Sequence, residues 1–240
     1  MTTFPGVYPL MLAAHRGQDA VVARLLALGA DVGLQSVRGS SATHWACSGK
    51  QSSSLGLLLD AGASMDSRDE FGRTPLLVAA AHGLTDSVAL LLERFGARVK
   101  EQLRMVNNHE DTAAHLACWF NRPSTLATLL DAGASTTARN NLGRTPLMMA
   151  AAYGATDCVA LLLEKCACAL PLDLDVQDSG GLTALQWAAN QEHPQIISLL
   201  LHAGADPTIK TRWREMPFGK AQARGQQECV ALLETALAEP

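Results

Sequence analysis

One phrase returns along this chain at a fixed interval, and that interval limits what the chain can fold into. Its clearest copy runs Gly143-Arg-Thr-Pro-Leu-Met-Met-Ala-Ala-Ala-Tyr-Gly154. Thr145 is a good N-cap, because its hydroxyl accepts from an orphan amide of the first helical turn. Pro146 then stands at the first helical position, where a missing N–H costs nothing. Leu147, Ala150 and Ala151 form an apolar face at helical spacing. Gly154 takes the left-handed conformation that stops the helix. A second helix is predicted from Thr156 to Lys165, with Val159, Leu162 and Leu163 inward. Such a helix–turn–helix unit is too small to bury its own apolar face, so it requires neighbours of the same kind.

The neighbours are present. Gly72-Arg-Thr-Pro-Leu-Leu-Val-Ala-Ala-Ala-His-Gly83, followed by Leu84 to Arg94, is the nearest copy. The units start at Gly6, Gly39, Gly72, Glu110, Gly143, Gly181 and Arg214, in steps of 33, 33, 38, 33, 38 and 33 residues. This spacing, and the Thr-Pro-Leu…Ala-Ala…Gly…Val…Leu-Leu…Gly-Ala series, resemble the ankyrin repeat, whose period is 33. The resemblance runs from Gly6 to Glu234. It implies an all-α ankyrin-repeat solenoid of seven helix–turn–helix repeats with short β-hairpin or loop fingers, one domain over residues 1–240. In such an array each repeat packs only on its neighbours, and the core is a row of interfaces.

Composition fits that reading. Of the 240 residues 48% are apolar, yet the longest apolar runs fall far short of a membrane span. No N-terminal charged-then-apolar stretch suggests secretion. A net charge of −4 argues against bulk binding of nucleic acid. The six cysteines form no disulfide framework. Cys47 and Cys118 are equivalent in the first helix of their repeats, and Cys158 and Cys229 in the second, which marks all four as small core residues. Thiols used this way point to a reducing compartment, cytoplasmic or nuclear. A monomer is expected.

The copies differ in instructive ways. Leu10, Ala13, Ala14, Val22, Leu25 and Leu26 form the core face of repeat one. Tyr8 replaces the capping Thr there, so a weaker cap is expected, and His15, Arg16, Gln18 and Asp19 are read as a polar outer end. Repeat two has Ser41-Ala-Thr43 for Thr-Pro-Leu and Lys50 for the helix-ending glycine. Trp45 and Trp187 are both placed on the repeat's leucine position, hence buried. Gln51 to Ser54 predicts a loose start to a second helix. Repeat four has Ala113 for Pro and Asn121 for glycine. The extra residues lie at Arg98–His109 and Cys166–Gly180. Repeat seven turns polar (Lys220, Gln222, Arg224, Gln226, Gln227, Glu228), as an outward-facing terminal repeat must. Repeats three plus four, and five plus six, each total 71 residues, a duplicated two-repeat unit.

No catalytic constellation is present: no Gly-x-Ser-x-Gly, phosphate loop, His-Glu-x-x-His or dinucleotide fingerprint. No cofactor or metal is expected. Cys166-Ala-Cys168 with Asp173 and Asp175 lacks the second cysteine pair of a zinc site, and reads better as an accessible loop thiol. His44 and His115 occupy the family's structural histidine position, which bonds neighbouring loops.

In ankyrin repeats, partners are gripped by the hairpin tips and the exposed side of the first helix. Carried onto this chain, that frame selects Phe71, Arg73, His82, Trp119, Phe120, Leu142, Arg144, Tyr153, Arg212 and Trp213. Arg38, Glu70 and Glu215 share the same register. Aromatics and arginine dominate interface energies, and exposed apolar clusters mark partners. Two readings stay open for Trp119 and Phe120: partner binding, or inward packing around Asn121. Two also stay open for Arg73 and Arg144: binding a partner's carboxylates, or bonding within the hairpin row.

The resemblance thus implies a non-catalytic protein-interaction module, an adaptor or scaffold whose partner carries an acidic and apolar surface. The alternatives are a regulatory or chaperone-like protein that covers an enzyme or ATPase subunit, and a targeting domain within a larger protein. His44-Trp-Ala-Cys-Ser48 locally resembles the chaperone-like members.

Overall fold

The computed structural model describes residues 6–168 and 173–238, with backbone alone for 166–168. Its helices fall into seven pairs among the described residues. These are α1 (Pro9–His15) and α2 (Asp19–Ala27), α3 (Ala42–Ser48) and α4 (Ser52–Asp60), then α5 (Pro75–His82) and α6 (Thr85–Phe95). A 3-10 turn (Gly96–Arg98) and the short α7 (Val99–Gln102) follow. Then come α8 (Ala113–Trp119) and α9 (Pro123–Asp131), α10 (Pro146–Ala152) and α11 (Thr156–Cys168). The last pairs are α12 (Ala184–Asn190) with α13 (Pro194–His202), and α14 (Pro217–Ala223) with α15 (Gln227–Ala238). The chain forms two compact units, residues 1–113 with 128–134, and residues 114–127 with 135–240.

In the first unit α1 packs on α3 and α3 on α5, with α2, α4 and α6 in a second row. In the second unit α10, α12 and α14 make one row and α11, α13 and α15 the other. The rows meet over fully buried side chains such as Leu55, Leu58, Leu77 and Leu91 in the first unit, and Leu147, Leu162, Leu185 and Leu200 in the second. Each such leucine contributes about 1.5–3 kcal/mol of transfer free energy. Cys47, Cys118, Cys158 and Cys229 are free thiols buried in these rows. Burial pushes the Cys47 thiol up to about 12. Leu25, Leu26 and Leu163 are only half-buried.

The caps follow the sequence. The Thr145 hydroxyl accepts from Met148 N at 3.3 Å, and Thr74 plays the same part for α5. Tyr8 gives α1 no side-chain cap. Turn geometry is stricter than residue type. All seven starting residues have left-handed backbones, including the non-glycines Glu110 (φ 61°) and Arg214 (φ 62°). So do the helix-ending residues, where Lys50 (62°), Asn121 (49°) and Glu192 (60°) stand in for glycine. Gly143 shows why glycine is favoured: a Cβ there would lie 2.9 Å from the Ser179 hydroxyl and 3.0 Å from its backbone nitrogen.

The fingers between repeats are loops. Among the described residues strand pairing is limited to one antiparallel bridge, Gln35 with Ser41. In repeats two to seven a side chain three residues before the starting residue holds the tip instead. Asp69 Oδ1 accepts from the amides of Phe71 and Arg73 at 3.0 and 2.9 Å, and Asn140 Oδ1 from those of Leu142 and Arg144, both at 3.0 Å. Asn107 and Asp178 repeat the motif. Buried histidines link consecutive repeats: His44 Nε2–H donates to Arg73 O at 2.8 Å, and His115 Nε2 lies 2.9 Å from Arg144 O. Gln186, equivalent in repeat six, donates to Ile209 O at 2.8 Å.

Several expectations change. Trp45 and Trp187 are half-buried, whereas Val78, Leu116 and Met149 at the same position of their repeats are buried, because the larger indole is not wholly covered there. α4 has no loose start: Ser54 is fully buried and donates to Asp19 Oδ1 at 2.5 Å. Asp19 therefore faces repeat two, not outward. The hydroxyls of Ser53 and Ser54 hold its carboxyl below the usual range. His15 likewise stacks edge-on against Trp45, ring centroids 5.6 Å apart. The first insertion is built in. Arg98 Nη2 and Gln102 Nε2 each donate to Asp66 at 2.8 Å, and Leu103 is buried. α11 runs to Cys168, so Cys166 and Cys168 sit on a helix rather than a loop; their thiols lie outside the described residues.

Candidate functional site

In the first unit the hairpin tips form a bonded row. Glu70 N donates to Arg38 O at 2.8 Å and Asn108 N to Phe71 O at 2.9 Å. Phe71 is 51% exposed. Arg73 clamps Asp69 Oδ2 through Nη2 at 2.7 Å and Nε at 2.8 Å, and its guanidinium lies 4.8 Å from the Phe71 ring centre. Arg38 pairs with Glu70 at 3.4 Å. His82, at the end of α5, is half-buried and already engaged.

The second unit carries the larger apolar surface. Trp119 ends α8, Phe120 follows it, and Tyr153 follows α10. Trp119 stacks on Phe120 with centroids 5.2 Å apart and planes at 9°, and on Tyr153 at 5.1 Å and 28°. Phe120 is 44% and Tyr153 48% exposed. Trp119 is half-buried and Phe120 exposed, and Asn121 closes the helix with a left-handed backbone.

Beside this column Arg144 lies flat on Trp187, 4.0 Å from the ring centre, with Nε 3.6 Å from Asp178 Oδ2. Trp187 Nε1 donates to the same carboxylate oxygen at 3.0 Å. Of the two readings open for Arg73 and Arg144, bonding within the hairpin row is the one present here, with Asp69 and Asp178 supplying the carboxylates. This cluster is readable only by aligning Asp178 with Asp69 and Trp187 with Trp45. At the tips, Leu142 is 49% and Trp213 69% exposed, and Arg212 is exposed beside it. A cleft of about 70 Å³ opens next to Trp213, between α12 and α14, well under what a small-molecule ligand needs.

Nothing catalytic assembles around these residues. Ser198 and His202 lie on an open groove between α13 and α15, but His202 Nδ1 is 2.7 Å from the Ser198 carbonyl oxygen. A carbonyl only accepts, so Nδ1 carries the proton and cannot act as base toward the Ser198 hydroxyl. Asp173 and Asp175 accept backbone amides at 3.0 Å. Among the described residues no group of His, Cys, Asp and Glu is arranged to hold a metal. No described helix is long and apolar enough to cross a membrane.

Seven helix pairs among the described residues, left-handed starts and linked fingers define a repeat-stacking protein. The chain belongs to the ankyrin-repeat family: the description of three-copy ankyrin repeats matches residues 10–103, 49–140 and 114–211. It is similar to human B-cell lymphoma 3 protein, 37% identical over 149 residues, covering 62% of this chain and 32% of that protein. It is also similar to the human transient receptor potential cation channel subfamily A member 1, 30% identical over 184 residues, 75% of this chain and 16% of that one. The chain thus spans about a third or less of these relatives. Among solved structures, the ankyrin repeat domain of Bcl-3, described as a unique member of the IkappaB protein family, superposes with a TM-score of 0.78 at 26% identity over 96% of this chain and 99% of that one. The human ASB11 ankyrin repeat domain superposes at 0.85 and 26% over 98% and 100%.

Proposed function

We propose that this chain is a non-catalytic adaptor or scaffold that binds another protein through its hairpin tips and the exposed ends of its first helices. The observation that carries the reading is the stacked column of Trp119, Phe120 and Tyr153, nearly half of whose outer rings is left in water. Aromatic rings placed on helix ends are costly to leave wet and well suited to interface centres. Phe71, Leu142 and Trp213 extend the apolar positions along the tips, with Arg212 beside Trp213. Arg73, Arg144 and His82 support the tips and helix ends from within. The buried free thiols fit a reducing compartment, cytoplasm or nucleus.

The test is affinity capture from a cell lysate with mass-spectrometric readout. The chain is compared with a Trp119→Ala/Tyr153→Ala variant of matched helical circular dichroism. At least one protein captured by the parent chain should be absent from the variant. Identical captures would remove the column from the binding surface. A second reading, a regulator that covers a partner's working surface, draws on the likeness to Bcl-3. It requires that the captured partner lose activity when bound.

A further inference from the structure

We infer that the finger of repeat seven, centred on Arg212-Trp213-Arg214, takes a short acidic segment of a partner protein that carries an apolar side chain among its carboxylates. The inference rests on reading the fingers as a binding surface. Three observations point the same way.

The first is charge. Residues 207–226 hold five cations, Lys210, Arg212, Arg214, Lys220 and Arg224, against one anion, Glu215, a net +4 in a chain whose net charge is −4. The remainder therefore carries −8. The cations of this finger also lack carboxylates of their own. In earlier fingers Arg38, Arg73 and Arg144 pair with Glu70, Asp69 and Asp178. The position of Asp69 and Asp178 is held here by Thr211, whose hydroxyl accepts from the amides of Trp213 and Glu215, both at 3.2 Å. The acids nearest in sequence are engaged: Glu215 pairs with Lys220 at 2.8 Å, and Asp206 Oδ1 accepts from Thr208 N and Oγ1, both at 2.7 Å. Arg224 donates to Asn190 O. Among the described residues Lys210, Arg212 and Arg214 take part in no ion pair, and all three are exposed. A carboxylate from outside supplies the charge that this finger lacks.

The second is apolar surface. Trp213 stands between the two arginines and is 69% exposed. The cleft of about 70 Å³ beside it is lined by the apolar Leu182, Met216 and Pro217, with Asn190 among its polar residues. That is room for one side chain, and an aromatic beside a small cleft is where an interface anchors. The tip is already ordered, because Thr211 N donates to Glu215 O and Arg214 N to Thr211 O, both at 2.9 Å. Little backbone freedom is left to lose on binding.

The third is extent. The cationic surface is confined to one finger and the helix that follows it, α14. A nucleic acid would carry its phosphates past the finger onto a remainder of net −8. A short acidic segment keeps its charge on the finger.

The experiment is a selection from a random peptide-display library on the whole chain. Enriched peptides are resynthesised and titrated against the parent, Trp213→Ala, Arg212→Gln and Arg214→Gly, each confirmed folded by circular dichroism. Arg214→Gly removes a cation at a left-handed backbone that glycine holds without strain. The expected peptides place two or more Asp or Glu around an apolar residue. Their Kd should weaken by ~10-fold or more on Trp213→Ala, and by ~3–10-fold on Arg212→Gln and on Arg214→Gly. It should also weaken by ~10-fold or more between low and high salt. Arg38→Gln, whose cation is paired with Glu70 in another finger, should move it less than ~2-fold. Acidic peptides indifferent to all three variants of this finger would overturn the site. Neutral, salt-insensitive peptides that depend on Trp213 would overturn the acidic class. A random-sequence DNA oligonucleotide, single-stranded or duplex, that binds through Arg212 and Arg214 more tightly than any enriched peptide would overturn the protein partner. Absence of any enrichment would overturn recognition of a short segment. Lysate capture that depends on Trp119 and Tyr153 is read separately, so the adaptor reading stands or falls on its own test.

Discussion

Five side chains show how this array tolerates imperfect residues: Lys50, Glu110, Asn121, Glu192 and Arg214 hold left-handed backbones where glycine is the natural choice. For an ordinary L-residue that conformation costs about 1–2 kcal/mol, partly offset by the entropy glycine loses on folding. Lys50→Gly should therefore raise the unfolding free energy by about 0.5–1 kcal/mol in urea titration. Gly143→Ala should lower it by at least about 1 kcal/mol, because strain adds to the approach of Ser179. His44 makes a pH prediction. Its Nδ1 accepts from Ser41 N at 3.2 Å while Nε2–H donates to Arg73 O, so the fold requires the neutral ring. Burial pulls its pKa below the usual 6.5. The folded state thus binds fewer protons than the unfolded one near that pH. The stability it supplies is complete above about 6.5 and lost as pH falls through the lower folded value. His44→Gln should flatten that dependence, since Gln186 already does the same work in repeat six. Residue-level legibility was high for Thr145, Pro146 and Gly154, whose roles are local. It failed for Trp45 and Trp187, which stay half-buried at the position where Leu116 is buried, because an indole is larger than the leucine it replaces.

At the scale of elements, the helices and their order were readable because each repeat carries its own start and stop signals. The insertions were not, because 98–109 has neither a cap nor a helical period of its own. Its structure comes from Asp66, which draws in Arg98 and Gln102 from the preceding finger. Asp66→Ala should leave the seven helix pairs intact while speeding amide hydrogen exchange across α7 by ~10-fold or more, since a short helix has little stability without tertiary anchors. Unchanged α7 exchange would mean that buried Leu103 holds it alone. The start of α4 was misread for a related reason: Ser52 to Ser54 are poor helix formers, but Ser54 is bonded to Asp19 of the previous repeat. A core change inside an element should behave differently. Leu162→Ala, at a fully buried position of α11, should cost about 2–5 kcal/mol and loosen α11 with its neighbour α13 first.

At the scale of the whole molecule, the question is whether the exposed aromatics are a working surface or packing. The family frame located Trp119, Phe120 and Tyr153 from register alone. Register could not show that they stack into one column, or that Arg73 and Arg144 are turned onto their own carboxylates, because both depend on contacts between repeats. Binding and packing make opposite demands on one pair of numbers, the partner affinity and the unfolding free energy of the Phe120→Ala/Tyr153→Ala variant. The account predicts an affinity loss of about 2 kcal/mol or more, with unfolding in urea shifted by less than about 0.5 kcal/mol, as for surface positions. Intact affinity, or a stability loss approaching that of Leu162→Ala, would contradict it.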